Sequence, residues 1–360
     1  MKKKKTTLLD IAKELDITAS TVSRALRNHP RISSSTKEAV FEMVEKLNYQ
    51  PNNIASALRK GKSNIIGVIV PTSDRHFFAS VIRGVEEVVR DEGYNLIICQ
   101  SDEQTAKEQK IIDALLQIQV DGIIASVAKE TTDTTHFEKI QKRGVPLILY
   151  DRASDSLNVN SVVSDDYLGA YKAVSHLIEQ GCRRIVHFAG QQHIGIYKDR
   201  LQGYLDALNE NEIPFDEELI VETDLIDDTD RILKIGRELT LDLLKLAKLP
   251  DGIFSSSDFA AMGAIQILKE HDINIPEQLA LVGYSNDFST SVIEPALTSI
   301  DQHTKQMGNF AARLFLDQVK EKDGEFAPRK TLLNPKLVIR KSSLRKKGKA
   351  ISLIKNRSAT

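Results

Sequence analysis

Cysteine is scarce in this sequence. Cys99 and Cys182 are the only two in 360 residues, and they stand far apart without CxxC spacing. That pattern excludes a disulfide scaffold and a cysteine metal centre, and reads as two buried thiols in a reducing compartment. Long apolar runs are missing as well: none approaches the ~18 residues that a membrane-spanning helix needs. The lysines of MKKKKTTLLD look like the start of an export signal, but Asp10, Lys13 and Glu14 follow where an apolar core would be required. A cytoplasmic protein with no membrane partner is expected. GxSxG, GxGxxG, Walker A, HExxH and DxDxDG are absent too. No catalytic residue, metal or cofactor is therefore expected, although an α/β fold does not by itself exclude catalysis.

What is present is unevenly distributed. The net charge of the whole chain is −1, but the first 62 residues hold 13 Lys and Arg against 6 Asp and Glu, a charge of +7, and the other 298 carry −8. A basic head on an acidic body points to a polyanion-binding module joined to something else. Length allows two or three domains.

The head reads as three short helices. Thr7 is placed to cap LLDIAKEL, Thr18 to cap a second helix over about 19–27, and Ser33 to cap SSTKEAVFEMVEKLN. Leu8, Ile11, Ala12 and Leu15 recur at helical spacing, as do Val22 with Leu26 and Val40 with Met43, Val44 and Leu47. Two short helices with a tight joint and a third as brace make a helix-turn-helix. The second helix starts with small polar residues. A helix entering the major groove must be slim there. Ala19, Ser20 and Ser23 meet that need, and Arg24 can bind guanine through two hydrogen bonds. Arg27, Asn28, His29 and Arg31 fall where phosphates pass. The competing reading is a solvated, capped loop. Beyond Pro51, NNIASALRK allows about two helical turns, too few for a stable isolated helix, which needs ~12–15 residues.

From Ile65 the pattern changes to short apolar runs (IIGVIVP, YNLIICQS, VDGIIAS, VPLILYDR, then SVVSDD, RIVHFAG, LIVETD, GIFSSSD, LALVGYS) alternating with amphipathic helices such as FFASVIRGVEEVVRDEG and AAMGAIQILKEH. This is βαβα alternation, with parallel sheets buried on both faces. The expected fold is an all-α helix-turn-helix head (1–50), a hinge helix and linker (51–63), and an α/β body of two doubly wound parallel-sheet subdomains. The first covers about 64–162 plus 295–325, the second about 163–294 plus 326–342. Residues 343–360 form a basic tail expected to be disordered. A cleft between the two sheets is the default ligand site.

Two motifs carry a resemblance. The run from Asp10 to Arg24 follows the pattern D-x-A-x-x-x-x-V-S-x-x-T-V-S-R through Asp10, Ala12, Thr21, Val22, Ser23 and Arg24, with Ile17-Thr18 at its V-S pair. Tyr49, Pro51, Asn52, Ala55 and Leu58 follow Y-x-P-N-x-x-A-x-x-L. The chain thus resembles the lactose-repressor (LacI/GalR) family of bacterial transcription factors, through about Ser342. The resemblance implies that Ala19, Ser20 and Arg24 touch bases and that Ser23 and Asn52 touch phosphate or sugar. It also puts Thr18, Tyr49 and Ala55 on the DNA side. Residues 52–60 would form a hinge helix that folds in the minor groove, with Leu58 as the wedge between central base pairs. A marginal helix with an exposed Leu suits that role, and unstacking costs ~ a few kcal/mol. A staple against the body is the alternative for Leu58. Arg27 departs from the Asn common at its position.

For the body the resemblance implies a fold of periplasmic-binding-protein type with an effector in the cleft. It places Phe77 and Phe78 as an aromatic cover, with Arg75-His76 replacing Asn-Pro. Asp151, Asp165, Arg200, Ser257 and Asp258 would line the effector or support its site. Arg200 stands out because one guanidinium donates two hydrogen bonds to vicinal hydroxyls or a carboxylate. Ser285 replaces an Asp that often accepts from a sugar hydroxyl, leaving Asn286 or Asp287 to substitute. Core packing for the aromatics and helix capping for Asp165 and Asp258 are the alternatives. The function read from all this is a dimeric, ligand-responsive repressor of carbohydrate-related genes acting at a pseudo-palindromic operator. The rival is a sugar-binding or sugar-modifying α/β protein with the head as accessory.

Overall fold

The computed structural model describes residues 6–49, 62–154, 156–225, 228–320 and 327–346. In the head, α1 (Leu8–Glu14), α2 (Ala19–Leu26) and α3 (Ser34–Lys46) form at the expected places. Their caps are local. Thr7 and Asp10 make a reciprocal capping box, and the hydroxyls of Thr18 and Ser33 accept from the amides of Thr21 and Thr36, each at 3.2 Å. Each cap satisfies an amide that the first helical turn leaves unpaired. Ile11, Ala12, Val22, Ala25, Val40 and Tyr49 close a small core among the three helices. Asn52, Ala55 and Leu58 lie outside the described residues.

The body has two six-stranded sheets. The first holds β1 (Ile65–Val70), β2 (Asn95–Gln100), β3 (Gly122–Ala125), β4 (Leu147–Tyr150), β5 (Asn160–Ser164) and β11 (Lys330–Leu333) in the order β11-β5-β4-β3-β1-β2, every pair parallel. The second holds β6 (Ile185–Ala189), β7 (Ile220–Glu222), β8 (Gly252–Ser255), β9 (Ala280–Tyr284), β10 (Thr298–Asp301) and β12 (Lys336–Val338). Its order is β12-β10-β9-β8-β6-β7, with β12 antiparallel at the edge. Strands β3 and β4 are buried along their whole length, as expected when helices cover both faces. Burying each large aliphatic side chain of these strands contributes about 1.5–3 kcal/mol.

Helices α4 (His76–Val89), α5 (Thr105–Gln117), α6 (Thr135–Lys142) and α11 (Thr304–Lys320) serve the first sheet. The second takes α7 (Asp166–Glu179), α8 (Gly195–Glu210), α9 (Thr229–Leu243) and α10 (Asp258–Glu270). Helices α4 and α11 approach to backbone contact: a Cβ on Gly84 would lie 2.1 Å from the carbonyl oxygen of Lys305, so only glycine fits there. Two elements escape the sequence reading. Helix α6 is not among the stretches that the sequence marks as helical, and α9, capped by Asp228, starts two turns before RELTLDLLKLAK, the stretch whose apolar spacing reads as a helix.

The subdomain boundaries need correction. Strand β10, expected in the first subdomain with 295–325, pairs with β9 in the second sheet. Strand β11, expected in the second with 326–342, pairs with β5 in the first. The first subdomain also runs past 162, since β5 ends at Ser164. The chain crosses between subdomains after β5, after β10 and after β11, and a strand pattern does not announce which sheet a strand joins. The tail does not begin at 343 either. Ser343 is fully buried, its hydroxyl bonded to His176 and Thr298. Arg345 donates to the carbonyls of Pro276 and Asp251.

Candidate functional site

On the head, the N-terminal end of α2 is built as its sequence suggested. Thr18, Ser20, Arg24, Arg27, Asn28 and Arg31 are exposed, and Ala19 and Ser23 half-buried. No hydrogen bond or ion pair among the described residues holds the guanidinium of Arg24, Arg27 or Arg31. The Thr18 hydroxyl is engaged locally with Ser20 and Thr21 at 2.8 and 2.9 Å. Asn28, at φ 51°, makes the left-handed turn that ends α2, so it shapes the loop as well as facing solvent. Tyr49 is only 9% exposed and packs its ring in the head core.

In the body, the C-terminal ends of both sheets face a cleft with three connected spaces. A narrow throat of about 60 Å³ is lined by Arg75, Phe77, Asp151, Arg152, Arg200 and Gln302 among others. On one side lies a chamber of about 400 Å³ that shares Arg75, Phe77, Ser257 and Ser285 with it and adds His76, Asp287 and Asp301. On the other lies a chamber of about 470 Å³ that shares Asp151, Arg152 and Ile196 and adds Lys129, Asp165, His193 and Asp199.

Arg200 is the best-held residue of the throat. Its Nε and Nη2 donate to Asp166 Oδ1 at 2.8 and 2.7 Å, and Nη1 donates to the Ser256 carbonyl at 3.0 Å. The guanidinium lies 3.7 Å from the centre of the Tyr284 ring, with Tyr197 at 5.3 Å. Burial opposes its charge, but Asp166 beside it prevails and its pKa is raised. Across the throat, Arg152 forks onto Glu103, with Nη1 to Oε2 at 2.8 Å and Nη2 to Oε1 at 2.9 Å. Asp151, at φ 58°, has looser partners: Ser126 Oγ at 3.5 Å and Arg152 Nε at 3.8 Å. Burial pushes its carboxyl up to about 6, with Arg152 opposing.

The other expected residues divide. Phe77 is half-buried and lines the throat and the first chamber; Phe78 is 3% exposed, packs edge-on against Phe77 and Tyr150, and also borders the throat. Asp165 caps α7, accepting from the Leu168 amide at 2.9 Å, and borders the second chamber. Ser257 lines both throat and first chamber. Asp258 is 1% exposed and accepts from Ser299 Oγ at 2.6 Å and the Asp287 amide at 2.8 Å, so it organises the loop after β9. Burial drives its pKa up to about 7 against those two hydrogen bonds. Asn286 is similarly engaged, with Oδ1 accepting from Arg340 at 2.7 Å. Ser285 remains at the throat, at φ 114°, where it donates to Gln302 Oε1 at 3.3 Å. Asp258 and Asn286 thus hold the loop while both also line the first chamber.

Sequence reasoning did not single out Arg152, Asp166, Tyr197, Tyr284 or Gln302. Arg152 and Asp166 sit beside residues that it did choose, in LYDR and VSDD. A charged pair closing an apolar strand was the available signal, and it was read one residue short. Gln302 is 1% exposed, and its Nε2, like Ser256 Oγ, is buried with no partner among the described residues. Both residues line the throat. No group of His, Cys, Asp and Glu suited to a metal occurs among the described residues, nor is any described helix long and apolar enough to cross a membrane.

Comparison with known proteins gives the family. Residues 7–52 match the model for bacterial regulatory proteins of the lacI family, and residues 174–343 match a periplasmic binding protein-like domain. The chain is 30% identical over 336 residues to the HTH-type transcriptional repressor PurR of Actinobacillus pleuropneumoniae serotype 3 (strain JL03), covering 93% of this chain and 98% of that one. It is 32% identical over 318 residues to the ribose operon repressor of Halalkalibacterium halodurans, covering 88% and 91%. Among solved structures, the transcriptional regulator CelR in complex with cellobiose superposes with a TM-score of 0.69 at 26% identity, covering 94% of this chain and all of that one. With a helix-turn-helix head, two such sheets and relatives aligned over nearly their whole length, the chain belongs to the LacI family of bacterial transcriptional regulators.

Proposed function

We propose that this regulator is a cytoplasmic homodimeric repressor. It binds a pseudo-palindromic operator through α2 and a hinge over 51–63, and it responds to a neutral, hydroxyl-rich ligand in the cleft. The observation that carries the ligand class is the charge balance at the throat. Two of its guanidiniums, Arg152 and Arg200, are each already held by a buried carboxylate, Glu103 and Asp166. An anionic ligand drawing on either would have to displace a buried ion pair at a cost of several kcal/mol. A sugar hydroxyl both donates and accepts. It can donate to the loosely held Asp151 and accept from Gln302 Nε2. Satisfying such buried donors is worth about 1–3 kcal/mol each. Phe77 supplies an apolar face. Relatives named for a ribose operon and solved with cellobiose support a carbohydrate.

The ligand alters DNA affinity only through its differential binding to two cleft states, a coupling of typically ~1–3 kcal/mol. A thermal-shift screen tests the class: neutral mono- and disaccharides should raise the melting temperature by mass action. Stabilisation by sugar acids or sugar phosphates alone would contradict it.

A further inference from the structure

The cleft is bridged by direct bonds between its two subdomains, some of them made by residues that also line the throat and the second chamber. From the first subdomain, Lys129 Nζ reaches Asp224 Oδ2 at 2.7 Å, and Arg75 Nη2 reaches the Leu225 carbonyl at 3.4 Å. In the opposite sense the amide and hydroxyl of Thr229 both donate to Asp74 Oδ2 at 3.2 Å. Asp224 and Leu225 lie in the connection between β7 and α9, and Thr229 is the first residue of α9. Lys129 and Asp224 are both half-buried, so their attraction is less screened than that of a surface pair.

The loop that carries Lys129 is held unusually firmly. Glu108, fully buried, accepts from the Ala128 amide at 2.8 Å and from Thr131 Oγ1 and His136 Nε2, each at 2.7 Å. Glu103 accepts from the Lys129 amide at 2.8 Å with the same Oε2 that takes Arg152 Nη1. A buried carboxylate is costly unless fully bonded. Two of them gripping one loop over four residues fix where the lysine can reach. Glu103 also joins two events. One of its partners faces the throat, and the other carries the bridge.

We infer that Lys129–Asp224 and Asp74–Thr229 are clasps that hold the closed cleft, and that Glu103 is the positioning residue that ties them to the throat. A ligand that draws on Arg152 moves the fork on Glu103, and with it the backbone that aims Lys129. The inference rests on the proposed function for what fills the throat. The clasps themselves belong to the protein without any effector.

Hydrogen exchange on the full chain, with no ligand added, tests it. Lys129→Met removes a charge from the first subdomain. Exchange at the Thr229 amide, in the second, should rise by roughly twofold or more, the lower end of the coupling seen between residues of one contact network. Glu103→Gln should raise exchange both at residues 128–131 and at Thr229. Exchanging the charges, Lys129→Asp with Asp224→Lys, should restore protection at Thr229. A merely structural loss would loosen the neighbourhood of the mutation and would not be repaired by the exchange. If Thr229 keeps its protection in both single variants, or if the exchanged pair fails to restore it, the clasps are not what hold the cleft. Neither result bears on the carbohydrate reading, which the melting screen tests separately.

Discussion

The arginines in and just after α2 and those of the cleft belong to one chain and are built in opposite ways. Arg24, Arg27 and Arg31 are exposed, with guanidiniums held by nothing among the described residues. Arg152 and Arg200 are 7% and 4% exposed, each already joined to a carboxylate. The difference follows from the partner. Phosphates and base edges arrive with their own charge and their own acceptors, so a reading surface needs only reach, positive charge and slim neighbours. A small neutral ligand cannot stabilise a buried cation. The protein must therefore neutralise its own guanidiniums first and recognise hydroxyls with the donors that remain. Removing an arginine from the first kind of site should affect recognition; removing one from the second should affect the fold as well.

The largest effect is expected at Arg200. Arg200→Ala leaves Asp166 buried without its cation, and breaking a buried pair in this way costs about 3–5 kcal/mol. Urea unfolding should show that loss together with the disappearance of any sugar-induced melting shift. A variant that loses the shift but keeps full stability would mean that Asp166 is not dependent on Arg200. Arg24→Ala should behave conversely. Discrimination between operator and mismatched duplex should fall by ~1–3 kcal/mol, with stability within about 0.5 kcal/mol of the parent, as for most surface changes. Binding titrations against both duplexes, with a parallel melt, would show a broken contrast if stability fell and discrimination did not.

Two smaller effects sharpen the comparison. Asp151 titrates near 6 because burial raises it from 3.8. The folded state therefore holds this proton at pH values where the unfolded chain has released it. Its contribution to stability is full below the unfolded value and is lost as pH rises through about 6. Ligand binding should run the other way. The carboxylate is the better hydroxyl acceptor, so sugar affinity should grow as pH rises through about 6, and Asp151→Asn should flatten that rise in a calorimetric titration. On the head, Thr18→Ala removes the α2 cap and should cost ~0.5–2 kcal/mol. Circular dichroism of the full chain would register it as earlier melting of the head.

The sequence was most readable where structure is decided locally. Thr7, Thr18 and Ser33 announce helix starts because capping involves residues three apart. The strand runs are legible because burial on both faces makes them continuously apolar. The allocation of β10 and β11 was not legible, since it depends on where a chain crossing returns. The same limit separates the cleft residues. Arg200 and Ser285 were found by motif position, but the partners that define their chemistry lie far off in the chain. Glu103 and Arg152 are a fork made across 49 residues. Asp258 and Asn286 line the first chamber, and only their bonds to Ser299, Asp287 and Arg340 reveal that they also hold a loop.

Operator affinity measured at physiological salt with and without a sugar from the melting screen tests the central claim most directly. Occupancy of the throat should change the dissociation constant by about 5-fold to 150-fold, the usual size of coupling between two sites. A sugar that binds tightly and stabilises the body while operator affinity stays the same would show that the cleft does not govern the head.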